Sequence, residues 1–121
     1  MLPDDVRALR VAPLTESFLR RPGVQAELAA LSEADRADAL AEIRRGFGYP
    51  EDAVARAAAV DARHEAAWAA GLAYWAARQD AADSELDALR ARFFGDRAST
   101  IANEEALGFF RFTRPRVYGV N

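Results

Sequence analysis

The chain holds a single histidine, His64, which follows Asp61 by three positions and stands beside Glu65. On a helix, a carboxylate and an imidazole at i and i+3 share a face and can offer two ligands to one metal, as in di-iron helical bundles. That chemistry needs a second such pair, and one histidine cannot supply it. His64-Glu-Ala-Ala-Trp68 also departs from a zinc-protease helix, because Trp68 occupies the second ligand position. Cysteine is absent, which removes disulfides, thiolate catalysis and cysteine-ligated zinc. The plainer expectation is structural: Asp61 satisfies the His64 ring on a face shared with Trp68 and Trp75.

Other candidates have similarly plain readings. Trp68, Leu72 and Trp75, with Tyr74 nearby, can line a ligand cavity, but such a stripe ordinarily packs a helical core. Gly46-Phe-Gly48 precedes Tyr-Pro and lacks the strand and remaining residues of a phosphate-binding loop, so it reads as a turn. The acids Asp80, Asp83, Glu85 and Asp87 match no calcium-loop spacing and suit a solvated face. Glu104 and Glu105 need a further group before they can do acid–base work. No catalytic, cofactor or metal residue is assigned.

The strongest contrast lies between body and C-terminus. All sixteen basic residues are Arg, so a single Arg weighs less as a functional sign than it would in a chain that also uses Lys. Three of them, Arg111, Arg114 and Arg116, lie in residues 109–121, which hold no acid. Residues 1–108 therefore carry 13 Arg against 19 acids, a net charge of -6 within a total of -3. An acidic body argues against a nucleic-acid binder, which ordinarily shows a basic face. The N-terminus is acidic with no apolar run behind it, and no segment reaches the ~18–20 apolar residues needed to span a bilayer. These features predict a soluble, cytoplasmic protein without a membrane partner.

Alanine supplies most of the apolar fraction, and alanine favours helix while burying little area. The fold class expected is all-α, a small helical bundle over residues 1–108 followed by an extended arm over 109–121. Its core falls to a few large side chains: Phe18, Leu19, Leu28, Leu31, Leu40, Ile43, Phe47, Trp68, Leu72, Trp75, Leu86, Leu89, Phe93 and Leu107. Pro3 suits a first helical position, and Thr15 reads as the cap of a short helix stopped by Pro22-Gly23. Ser32-Glu-Ala-Asp35 is a variant capping box for a helix ending near Gly46. From Pro50 to Phe94, the residues Val54, Ala57, Asp61, His64, Trp68, Leu72, Trp75, Gln79, Ala82, Leu86, Leu89 and Phe93 keep one helical phase. That phase favours one long central helix, with a kink or break near 80–84 as the alternative. Ala67 and Gly71 would let another helix approach it closely. Gly95 and Gly108 mark the next two helix ends.

In the arm, Phe110 and Phe112 alternate with Arg111 and Thr113, a strand-like pattern that Pro115 confines to an edge or an extended segment. A segment holding Phe109, Phe110, Phe112, Val117, Tyr118 and Val120 would be sticky if left in water. It should dock on its own body or on another chain. Phe109, Phe110, Arg111, Phe112, Arg114, Arg116 and Tyr118 are the expected partner-binding residues, and the partner is another protein or a second copy. The function expected is that of a non-enzymatic interaction or assembly subunit. The alternative is a small helical enzyme or ligand-binding protein using the Asp61/His64/Trp68/Trp75 face.

Overall fold

The computed structural model describes residues 4–120, with side chains from Val11 onward; Pro3 and Asn121 lie outside the described residues. The order is α1 (Asp4–Leu19), α2 (Pro22–Ala30), α3 (Glu33–Gly46), α4 (Glu51–Gln79), α5 (Leu86–Phe94) and α6 (Ala98–Leu107). Short 3-10 turns occur at Asp83–Glu85, Gly95–Arg97 and Arg111–Thr113. The protein is all-α, with no strand among the described residues.

Local signals explain the start of α3 and the end of α6. The Ser32 hydroxyl accepts the Asp35 N–H at 3.1 Å and opens α3, as its capping box predicts. Gly108 closes α6 in the left-handed region at φ +79, while the Gly108 and Phe109 N–H groups return to the carbonyls of Glu105 and Glu104. This pairing satisfies two end carbonyls and turns the chain into the arm. Thr15 does not start a helix. α1 runs through Pro13, and the buried Thr15 hydroxyl donates to the Val11 carbonyl at 2.9 Å, one turn back.

The long central helix is α4, and the break falls within the window that sequence left open. Asp80 and Ala81 bond three residues back, to Ala77 and Arg78, which tightens the last turn; Ala82 is then extended at ψ 152. Asp83 and Ser84 follow, residue types whose side chains compete with helical bonding. Leu89 and Phe93 keep the phase of α4 because α5 packs its own inward face, not because one helix continues.

By its contacts the chain divides into two units, residues 1–65 with 117–121 and residues 66–116. In the first, Leu19 of α1, Leu28 of α2 and Leu40 of α3 form the buried centre. Phe18, Val24, Leu31, Ile43, Tyr118 and Val120 pack around it. In the second, the centre is Tyr74 of α4, Ile101 of α6 and Phe110 of the arm, enclosed by Trp75, Leu89, Phe93, Phe94 and Phe112. Leu72 and Leu107, expected in the core, are 51% and 71% exposed. Tyr74, Ile101 and Phe110 take the interior instead.

Gly71 serves a ring, not a second helix. A Cβ built there would lie 2.2 Å from Cγ of Phe112, so the arm's aromatic ring sits directly on the α4 backbone. Phe112 also meets Trp68 edge-on at 5.3 Å and stacks on Phe94 at 6.1 Å. Gly71→Ala must displace that ring, and a forced repacking of this kind costs about 1–3 kcal/mol. Urea unfolding should show this loss, together with a changed indole emission as Phe112 leaves Trp68. Unaltered stability and emission would mean that the ring does not hold this place.

Candidate arm-docking site

The first unit buries two guanidinium groups, both from α3. Arg36 and Arg44 are eight residues apart, so both flank Leu40 on the inward stripe. Arg36 donates through Nε to the Leu28 carbonyl at 2.9 Å and through Nη2 to the Leu31 carbonyl at 2.8 Å. It thereby reinforces the end of α2, where the Leu28 carbonyl also takes the Leu31 N–H at 3.2 Å. Its Nη1 pairs with Glu65 of α4 at 2.5 Å. Arg44 grips Asp61 with both terminal nitrogens, at 2.6 and 3.2 Å. Fork-to-carboxylate pairs of this type are directional as well as strong.

Each arginine also reaches the arm. The Arg36 guanidinium lies 4.1 Å from the centre of the Tyr118 ring, a cation–π contact. Arg44 Nη2 donates to the Gly119 carbonyl at 3.1 Å. Gln25 of α2 completes the site. Its Oε1 accepts the Tyr118 N–H at 2.7 Å, and its Nε2 donates to the Tyr118 carbonyl at 3.0 Å and the Leu19 carbonyl at 2.6 Å. One side-chain amide thus reads both main-chain groups of one arm residue. Gly119 fits for two reasons: its φ of +78 is a left-handed value, and a Cβ there would lie 2.6 Å from Leu40 Cδ2.

The other half of the arm is anchored in the second unit. Glu104 is buried and accepts the Arg111 main-chain N–H at 3.0 Å and the Arg111 Nε at 3.0 Å. The Arg111 hydrogen bonds hold the Glu104 carboxyl below its ordinary range against the opposing effect of burial. Phe110 is buried and stacks on Trp75 at 4.9 Å. Glu105 takes the Tyr74 hydroxyl at 2.7 Å and ion-pairs with Arg90 at 2.6 Å and Arg78 at 2.5 Å. Burial, and then the Glu105 hydrogen bond, push the Tyr74 hydroxyl up. Thus Glu104 anchors the arm through Arg111, while Glu105 ties Tyr74 and Arg78 of α4 to Arg90 of α5.

Among the residues expected to bind a partner, Phe110 is buried, while Phe112 and Tyr118 are half-buried on their own unit. Arg111 is tied to Glu104, Arg114 lies 5.1 Å over Phe109, and Arg116 lies 5.3 Å over Trp68. Phe109 is the apolar member left exposed, at 41%. Instead of a strand, residues Arg111–Thr113 make a 3-10 turn, in which Thr113 N–H returns to the Phe110 carbonyl.

The residues of the alternative site have separate engagements. Asp61 is held by Arg44 and not by the histidine, and His64 is exposed. Trp68 packs on Phe112 and Trp75 on Phe110. No group of three His, Asp or Glu able to hold a metal occurs among the described residues. A hollow of about 60 Å³, lined by Arg36, Asp61, Glu65 and small alanines, is far below the ~300 Å³ at which small-molecule sites begin. Sequence reading missed Gln25, Arg36 and Arg44. A usable sign was present for the arginines: Arg36-Leu40-Arg44 on one stripe of α3, and Asp61 and Glu65 one turn apart on α4.

Removing one partner of a buried ion pair strands the other charge, at a cost of about 3–5 kcal/mol. Arg44→Leu should lose stability of that order in denaturant titration, and Arg44→Leu/Asp61→Leu should recover most of it. A single-variant loss well under 1 kcal/mol would show that water already screens the pair. Glu104 is a buried contributor to the pH dependence. Its folded-state carboxyl titrates below the ordinary 4.5, so its contribution is complete above that value and disappears as pH falls through the folded pKa. Glu104→Gln should flatten the fall of Tm below pH 4.5, relative to the unmodified chain. Parallel acid limbs would exclude this anchor as a source of pH sensitivity.

No family model, curated protein or solved structure matches this chain.

Proposed function

We propose that this protein is a non-enzymatic interaction or assembly subunit, a helical body that positions its C-terminal arm on a partner chain or a second copy. The observation that carries this reading is the way Tyr118 is held. Gln25 reads both its main-chain groups, Arg36 covers its ring, and Arg44 takes the next carbonyl. Grooves that recognise extended peptides work in this manner: main-chain hydrogen bonds contribute affinity while side-chain contacts select the sequence. Exposed apolar side chains add support in each unit: Val117 is 41% exposed in the first, and Phe109 and Leu107 are 41% and 71% exposed in the second. Apolar side chains placed outward beside arginines have the composition of an interface.

Phe109→Asp and Val117→Asp change exposed positions and should leave far-UV helicity intact. Native mass spectrometry of the full chain, alone over a concentration series and in extracts of its source cell, should show higher-mass species that both substitutions deplete. A solitary mass under all of these conditions would refute the interaction role.

A further inference from the structure

Resting on that reading of the arm, we propose that the groove formed by Gln25, Arg36 and Arg44 takes the Tyr118-Gly119-Val120 segment of a second copy of this chain, so that copies exchange arms. The determinants are confined to three consecutive residues. Tyr118 gives its N–H and carbonyl to Gln25 and its ring to Arg36, Gly119 gives its carbonyl to Arg44, and Val120 packs with Leu19, Leu28 and Leu40. None of these contacts depends on which chain supplies the segment, and exchange of an identical element reproduces each with its twin.

The groove also restricts what it can accept. At the Gly119 position φ is +78 and a Cβ would meet Leu40 at 2.6 Å and Leu19 at 3.2 Å, so an aromatic residue must be followed by glycine. An unrelated chain would have to reproduce this order, whereas a second copy carries it already. The approach to the segment is suited to re-aiming. Thr113, Arg114, Pro115 and Val117 are exposed, and Pro115 fixes an extended backbone without an N–H to satisfy. In a single copy the tether holds the segment at an effective concentration on the order of 1 mM. Docking within one copy therefore prevails in dilute solution, and exchange requires crowding or a vacated groove.

Two full-length variants remove that internal competitor. Gly119→Ala keeps the groove but spoils the segment; Gln25→Ala keeps the segment but releases it from its own groove. Each alone should sediment as a monomer, and an equimolar sub-millimolar mixture should form a 1:1 heterodimer. Introducing Gly119→Ala into the Gln25→Ala chain as well should abolish it. A mixture that stays monomeric overturns the exchange. If Gly119→Ala weakens folding, a synthetic peptide of residues 115–121 should raise the Tm of that variant. The same peptide with alanine in place of Gly119 should bind about tenfold more weakly, reflecting the cost of a left-handed non-glycine residue. A Tm indifferent to the natural peptide also overturns the proposal. Loss of exchange while Phe109 and Val117 still govern a complex with a different protein rejects the second copy as occupant and leaves the arm's docking role standing.

Discussion

Two desolvated guanidinium groups constrain the first unit more than any apolar contact does. A buried cation without a counter-charge costs several kcal/mol, so Arg36 and Arg44 can leave water only where Glu65 and Asp61 meet them. Those pairs fix how α3 lies along the early part of α4. The donors that remain are not idle: they close the end of α2 through Leu28 and Leu31 and hold Gly119 of the arm. In an alanine-rich chain this solution is economical. Alanine buries too little surface to define a helix–helix register, at roughly 25 cal/mol per Å² of apolar area, whereas a guanidinium fork accepts one geometry and rejects its neighbours.

The features legible in sequence were those with local causes. The helical class follows from composition, and the Ser32 cap and the Gly108 end follow from residue types that satisfy helix termini within a few positions. Periodicity was less decisive. The face drawn through His64 is not the one that meets α3: at 100° per residue His64 and Glu65 lie on opposite sides of Asp61, about 60° and 40° away, and Arg36 takes Glu65. The same limit explains the extended reading of α4 through to Phe93. Two separate helices that each bury an inward stripe can share a phase across a break, and only hydrogen bonding near Asp80–Ala82 reveals it.

The acceptor of the arm was hidden for a different reason. Gln25 and Tyr118 are 93 residues apart, and an isolated glutamine on a short helix carries no periodic mark. By contrast, the need for docking was visible in an apolar segment beside an acidic body, and Phe110, Phe112, Tyr118 and Val120 do leave the surface for the cores. The two buried arginines were visible in principle, as charges occupying core-phase positions of one helix with carboxylates in the core phase of another. The absence of lysine weakened that sign, since in this chain arginine is the basic residue wherever one is needed.

The arm's composition and its placement have one physical origin. Helices rich in alanine leave shallow cores with gaps between them, and the residues that fill those gaps here come from the densest aromatic stretch of the chain. Phe110 supplies one of the central residues of the second unit, while Tyr118 and Val120 pack against the centre of the first. The arm's inward side chains are therefore core residues and docking contacts at once. A substitution at Phe110 or Tyr118 removes core and contact together and cannot separate the two roles. The outward side chains, Phe109 and Val117, are bound by no such double duty. Substitutions at those positions leave both cores filled.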